Sequence, residues 1–459
     1  MTLTATSAPR TPVRRLTAAL YCYAFLDDLV LLYPVYALLF SDTGLSVWQI
    51  SSLFALWSLS GVLFELPSGA WADAFSRRTL LWAGPLLTAA GFGLWVLVPS
   101  YGSFAVGFVL WGAKGALGSG ALEALVYDEL DRLGAADRYA RTMGRTRAAG
   151  LLAVMAANGL AGPVLGAGGY PAVGAASIAA CLLAAAAAAC LPEHRARGSA
   201  GPPDGADRLR VGSVGPPDGA DGLPGGSVGP PVAAVGLPVG TVVGPPVGAD
   251  GAPDGARGPA GGWVAALRAG LAEARTNRRV RSALLLVPAV TAVWGALDEY
   301  TPLLVRDTGT ATADVPWLLL VVWAAATAGG LLAGPGERLG RRGLAALLAC
   351  AGVALGVGAL LRHPAGVVLV ALAFCGFQLA SVLADARLQA GIQGPARATL
   401  TSLAGTGTDL GTVAVYGAYA AAASTLPHAE VFALFATAYL LTALFLARPA
   451  GPEPRPASG

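Results

Sequence analysis

The chain has 459 residues, of which 55% are hydrophobic and only 12% charged, with a formal net charge of +3. A soluble domain carries about 25% charged residues, so these charges are too few to cover a water-facing surface. The mean hydropathy is +0.61 and apolar stretches recur at about 20 residues, the length of a bilayer-crossing helix. Together they predict an all-α, polytopic membrane protein.

The N-terminal tail carries Arg10, Arg14 and Arg15 ahead of the first apolar run. That run is about twice the length of a signal-peptide core and lacks a clear cleavage site, so it is expected to remain as the first span. Spans are predicted near 17–40, 48–70, 79–99, 103–125, 146–166 and 170–191. A second set follows near 282–305, 316–335, 343–361, 365–385, 399–423 and 428–447. This gives a six-helix half over 1–191, a linker over 192–262 and a second half over 263–459. The turns after spans 2, 4, 8 and 10 hold Arg77, Arg78, Arg132, Arg138, Arg141, Arg338, Arg341, Arg342, Arg387 and Arg397. The opposite turns hold Arg306 and Arg362. Basic loops stay inside, so both termini and the linker are expected in the cytoplasm, with the chain spanning the cell membrane.

The linker repeats Gly-Pro-Pro-Asp-Gly-Ala-Asp at 201–207 and 215–221. Its Pro and Gly content cannot support a helix or a buried core, which predicts a disordered tether. From Trp263 to Val280 an apolar side with Trp263, Leu267 and Leu271 opposes Arg268, Glu273, Arg275 and Arg278. This pattern predicts an amphipathic helix at the membrane interface.

Five cysteines all fall inside apolar segments and three histidines in predicted loops. They are expected as packing and loop residues rather than as disulfides or metal ligands. No phosphate-binding Gly-x-x-x-x-Gly-Lys-Ser/Thr loop occurs and no nucleophile–base pair is visible. No cofactor, nucleic-acid partner or enzymatic activity is expected, and the chain is expected to act as a monomer.

One unit occurs twice. Gly69-x-x-x-Asp73-x-x-x-Arg77-Arg78 closes span 2, and Glu337-x-x-x-Arg341-Arg342 closes span 8. Asp42-Thr43-Gly44 and Asp307-Thr308-Gly309 precede them at similar distances, with Trp48 and Trp317 between. The first motif resembles the loop signature of the major facilitator superfamily, Gly-x-x-x-Asp-x-x-Gly-Arg-Arg/Lys, with Ser76 in place of its second Gly. The resemblance implies two pseudo-symmetric six-helix bundles and secondary transport by alternating access. It also implies that Asp73, Arg77, Arg78, Glu337, Arg341 and Arg342 latch the cytoplasmic side. Glu65, Glu123 and Asp128, near the same turns, are expected in that network. The segments around Glu65 and Glu123 resemble a permease and drug-exporter branch.

Leu110-x-x-x-Lys114-x-x-Leu117-Gly118-x-Gly120-Ala121 resembles a second superfamily pattern, with Lys114 at its Arg position. Lys114 is the only lysine in the chain and stands deep in span 4, where a charge needs a partner or water. Asp27 and Asp28 of span 1 are the expected partners. They point ~100° apart on a helix, one toward a central cavity and the other toward a neighbouring helix. Span 7 carries Asp298 and Glu299, and the doublets are expected to correspond, each being followed by a proline (Pro34, Pro302). The resemblance places Asp27, Asp28, Lys114, Asp298, Glu299 and Asp385 along one path for substrate and protons. The acids are candidate proton carriers or counter-ions for a cationic substrate. Gly162-Pro163-x-x-Gly166 in span 5 approximates the superfamily's antiporter-associated motif, where glycines permit close helix packing. The expected function is proton-coupled export of a drug or metabolite. Nutrient import, or a non-transporting sensor or scaffold, is the alternative.

Overall fold

The computed structural model describes residues 10–74, 76–118, 120–194, 275, 277–392 and 397–448. Among them every regular element is helical. Of the linker over 192–262 all but residues 192–194 lies outside the described residues, as does most of the expected amphipathic helix over 263–280.

The first crossing is broken. Helix α1 (Arg10–Asp28) and helix α2 (Tyr36–Asp42) are separated by a 3-10 turn at Tyr33–Val35. Pro34 lacks an N–H and cannot continue an α-helix ladder. The Leu32 amide freed by the break donates to the Ser177 hydroxyl at 2.9 Å, and Leu32 is fully buried. Irregular backbone at membrane depth survives where protein satisfies it in this way.

Helices α3 (Val47–Ala74) and α4 (Arg77–Leu97) follow, then α5 (Tyr101–Gly118) and α6 (Ala121–Arg132). The predicted span 103–125 is interrupted here, because Gly120 adopts φ +71°, which redirects the chain. Helix α7 (Tyr139–Ala189) makes two crossings about Gly169, at φ 65° and ψ −165°. The second half comprises α8 (Arg278–Asp307), α9 (Val315–Leu331), the short α10 (Ala333–Gly336), α11 (Arg341–Leu360), α12 (Gly366–Gly391), α13 (Arg397–Ala423) and α14 (His428–Ala447). Nine of the described helical stretches are long and apolar enough to cross a membrane. The double crossing of α7, the shorter α9 and the more polar α13 complete six crossings in each half.

Within the first half α1 and α4 pack on α7, and α3 and α4 pack on α5. Within the second, α8 packs on α12 and α13, while α11 packs on α12 and α14. The halves meet along two equivalent seams, α3 with α13 and α7 with α9. At the second seam a Cβ on Gly162 would lie 2.4 Å from the Ala313 carbonyl oxygen. Glycine therefore sets how closely α7 approaches the turn before α9.

The molecule has an Arg-rich end, which bears the turns after α3 and α10, and an opposite end. Toward the opposite end the first half is filled with aromatic rings. Tyr36, Phe40, Phe54, Trp95, Phe104 and Phe108 are all buried, with the Phe40 and Phe104 ring centroids 4.4 Å apart. Such pairs add stability beyond their buried area.

Candidate functional site

Two acidic sites occupy different places. In the first, Lys114 Nζ on α5 lies 2.9 Å from Asp27 Oδ2 at the end of α1, and each side chain is 17% exposed. Asp28 turns instead toward α7, where a Cβ on Gly150 would sit 2.2 Å from its Oδ2. Consecutive helical residues point about 100° apart, so one acid meets α5 and the next meets α7. Asp28 has no hydrogen-bond or ion-pair partner among the described residues, yet lies within electrostatic reach of Asp27 and Lys114.

In the second site the Tyr33 hydroxyl donates to Asp298 Oδ2 at 3.4 Å. Glu299 is 3% exposed. Both acids line a cavity of about 10 Å³, the room of a single water molecule. Its wall comes from both halves: Tyr33, Pro34 and Tyr36 from one, Pro302, Leu319 and Trp323 from the other.

The expected correspondence of the doublets therefore fails. Asp27 stands 15 residues before Asp42, whereas Asp298 stands 9 before Asp307, a difference of about 9 Å along a helix. The repeat position of Asp298 is that of Tyr33, not of Asp27. Asp385 joins neither site; it is exposed, in the last two turns of α12.

The end opposite the Arg-rich turns is closed across the halves by residues not singled out as a site in the sequence. Arg306 donates to Asp42 at 2.6 Å and to Ser41 at 2.7 Å. Tyr170 also donates to Asp42, at 2.6 Å. Below this network Ser51 and Tyr300 hydroxyls lie 2.6 Å apart, and Tyr300 stacks on Tyr419 at 3.6 Å. The repeated Asp-Thr-Gly and the isolated Arg306 were the available signal.

At the Arg-rich end the described bonds stay within each half. Arg77 pairs with Asp128. Glu193 accepts from the Ser76 hydroxyl and from the Arg77 and Arg78 amides, the latter at 3.0 and 3.3 Å. It thereby caps the first turn of α4, where a carboxylate complements the helix dipole. Glu129 accepts from Arg132 and from the His194 amide, at 3.0 and 2.7 Å. In the second half Arg341 donates to the Phe445 carbonyl at 3.1 Å, and Arg387 to the Leu339 carbonyl at 2.7 Å.

Among the described residues Glu337 and Arg342 form no ion pair, and the Asp73 side chain lies outside the described residues. Gly69 and Asp73 lie in the last turns of α3, and Glu123 in the first turn of α6. Glu65 stands within electrostatic reach of Asp409 on α13. The antiporter-like segment is at the α7–α9 seam, with Gly162 against Ala313 and Trp317, and a Cβ on Gly166 would lie 3.8 Å from that of Ala313. Pro163 lies in α7 between them.

The sequence pattern of the Major Facilitator Superfamily matches residues 17–415. The chain belongs to this superfamily. Solved structures agree on the fold. The nucleoside transporter NupG superposes with a TM-score of 0.66 at 12% identity, covering 94% of this chain and 98% of that one. A D-xylose-proton symporter superposes with a TM-score of 0.60 at 13% identity, covering 95% and 97%. No curated protein sequence matches closely enough to count as a relative.

As a superfamily member the chain is a transporter rather than an enzyme. Among the described residues, Arg306, Asp42, Ser51 and Tyr300 join the halves at one end, and the bonds described at the Arg-rich end stay within each half.

Proposed function

We propose that this superfamily member is a proton-coupled secondary transporter that exports a small drug-like molecule or metabolite by alternating access. The observation that carries the reading is the Lys114–Asp27 pair with Asp28, unpaired among the described residues, beside it. One lysine and two acids are neutral together only when one acid holds a proton. Each proton gained or lost therefore changes the charge of a buried cluster, a costly change in low dielectric. Helix α7 links that change to the halves. It carries Gly150, which seats Asp28, and Gly162, which touches the other half, about 18 Å further along the helix.

The Arg-rich turns face the cytoplasm by the distribution of basic loops, as do both termini. The closed end then faces outward, and the arrangement is the inward-facing member of the cycle in the cell membrane. In the outward-facing member the turns bearing Glu65, Gly69, Asp73, Arg77, Arg78, Glu123 and Asp128 would close on those bearing Glu337, Arg341 and Arg342. Import is the second reading, since one structure of similar fold is a D-xylose–proton symporter.

Inside-out membrane vesicles with an internal acid load and a pH-sensitive dye test the reading. An exported compound should dissipate the gradient in wild type and not in Asp28→Asn. A gradient untouched by every compound in a broad panel, with the protein present in the membrane, contradicts proton-coupled export.

A further inference from the structure

Asp298 and Glu299 differ from Asp27 in having no basic partner among the described residues. The Tyr33 hydroxyl is the described contact of Asp298. Among the described residues Glu299 Oε1 is buried with no hydrogen-bond partner, and so is the hydroxyl of Tyr36, a residue 2% exposed. Both residues line the cavity between the halves. A buried polar atom without a partner is costly, and a charged one more so, so native structures seldom leave several in one place.

The chemistry that would satisfy them is narrow. Two carboxylates call for positive charge. The aromatic faces of Tyr33 and Trp323, whose rings meet edge-on at 6.2 Å, also attract a cation. An –NH₃⁺ group has three donors, and Asp298, Glu299 Oε1 and the Tyr36 hydroxyl supply three acceptors. A divalent metal wants six or more oxygen ligands, more than this wall offers. The cavity of about 10 Å³ admits a group of water size and excludes a trimethylammonium head. Tyr33 and Asp298, 265 positions apart, are equivalent in the two repeats. Equivalent positions meet at the pseudo-two-fold axis between the halves, which is where a transport path runs.

We propose that this pocket binds the primary ammonium group of an organic amine, which deepens the transporter reading above by naming a substrate class. Because its wall comes from both halves, a bound ammonium group also favours closure of the outer end.

The test is calorimetric titration of the purified full-length protein in detergent at constant pH. The probe is phenethylamine, with 2-phenylethanol as its uncharged counterpart and trimethylphenethylammonium as the oversized one. Phenethylamine should bind at least ~10-fold more tightly than either, and Glu299→Gln or Asp298→Asn should weaken it at least ~10-fold, as for a charge-assisted bond. Tyr36→Phe, which removes one oxygen, should weaken it less and carries the test should the acid variants fail to fold. The proposal is overturned by absence of amine binding, by equal binding of the alcohol, by insensitivity to these substitutions, or by displacement of the amine when sodium replaces potassium. Vesicle transport on the same proteins separates the two readings. Proton-coupled transport without amine binding removes only the amine site, and amine binding without proton coupling removes only the earlier reading.

Discussion

Tyr33 and Asp298 occupy the same place in the two repeats and are hydrogen-bonded to each other at 3.4 Å. Ser41 and Arg306 are related in the same way, 265 positions apart and 2.7 Å from each other. Both contacts lie toward the closed end, so that closure is built around the axis that relates the halves. Pulling the halves apart there must break both contacts at once.

The Arg306–Asp42 pair is partly exposed, at 26% and 42%, and an exposed pair contributes about 0–1 kcal/mol. Arg306→Ala should therefore shift the balance toward the outward-open state by up to about fivefold rather than abolish the closed state. Spin labels at Ser46 and Ala311, on the two outer turns, would show a larger share of long distances. An unchanged distance distribution would remove Arg306 from the closure.

Lys114 and Asp27 are largely enclosed. Removing one member of such a pair strands the other, at a cost of about 3–5 kcal/mol, while removing both costs much less. Asp27→Asn and Lys114→Met should each lower the melting temperature, and the double variant should recover most of the loss. Additive losses in this cycle would show that the pair does not couple.

Gly150→Ala would place a methyl 2.2 Å from Asp28 Oδ2. The acid must move, and proton-coupled transport should fall at least ~10-fold in the vesicle assay, since small misplacement of a reacting group costs that much or more. Wild-type transport by Gly150→Ala would mean that the seat of Asp28 does not matter.

Glu193 caps α4 through three donors. Glu193→Gln keeps the shape but loses the charge, and should cost about 1 kcal/mol or less. A drop of a few degrees in melting temperature, smaller at high salt, is the expected result. A larger drop that salt leaves unchanged would place the role of Glu193 elsewhere.

Much of the fold was legible because bilayer length and Arg distribution act on every span separately. The breaks were not. The apolar pattern runs unbroken through Leu29–Leu32, and it is Pro34 together with Ser177, 145 positions from Leu32, that settles the backbone there. Lys114 had acids at matching depth within one half, so its partner was readable. The prolines that follow the two doublets do not carry the register, whereas Asp42-Thr43-Gly44 and Asp307-Thr308-Gly309 do. Counted from those, Asp298 falls on Tyr33, the residue it touches. Arg306 stood out by its loop, but its bond to Asp42 spans 264 positions and depends on which end of the molecule is closed.

The most direct measurement of the central claim is accumulation of a panel of lipophilic cationic and neutral compounds in efflux-deficient cells. Wild type is compared with Asp28→Asn, each with and without a protonophore, at matched membrane expression. Accumulation of at least one compound should be lower with wild type, and that difference should vanish with the protonophore or with Asp28→Asn. A difference that survives both treatments, or none across the panel, would contradict proton-driven export through Asp28.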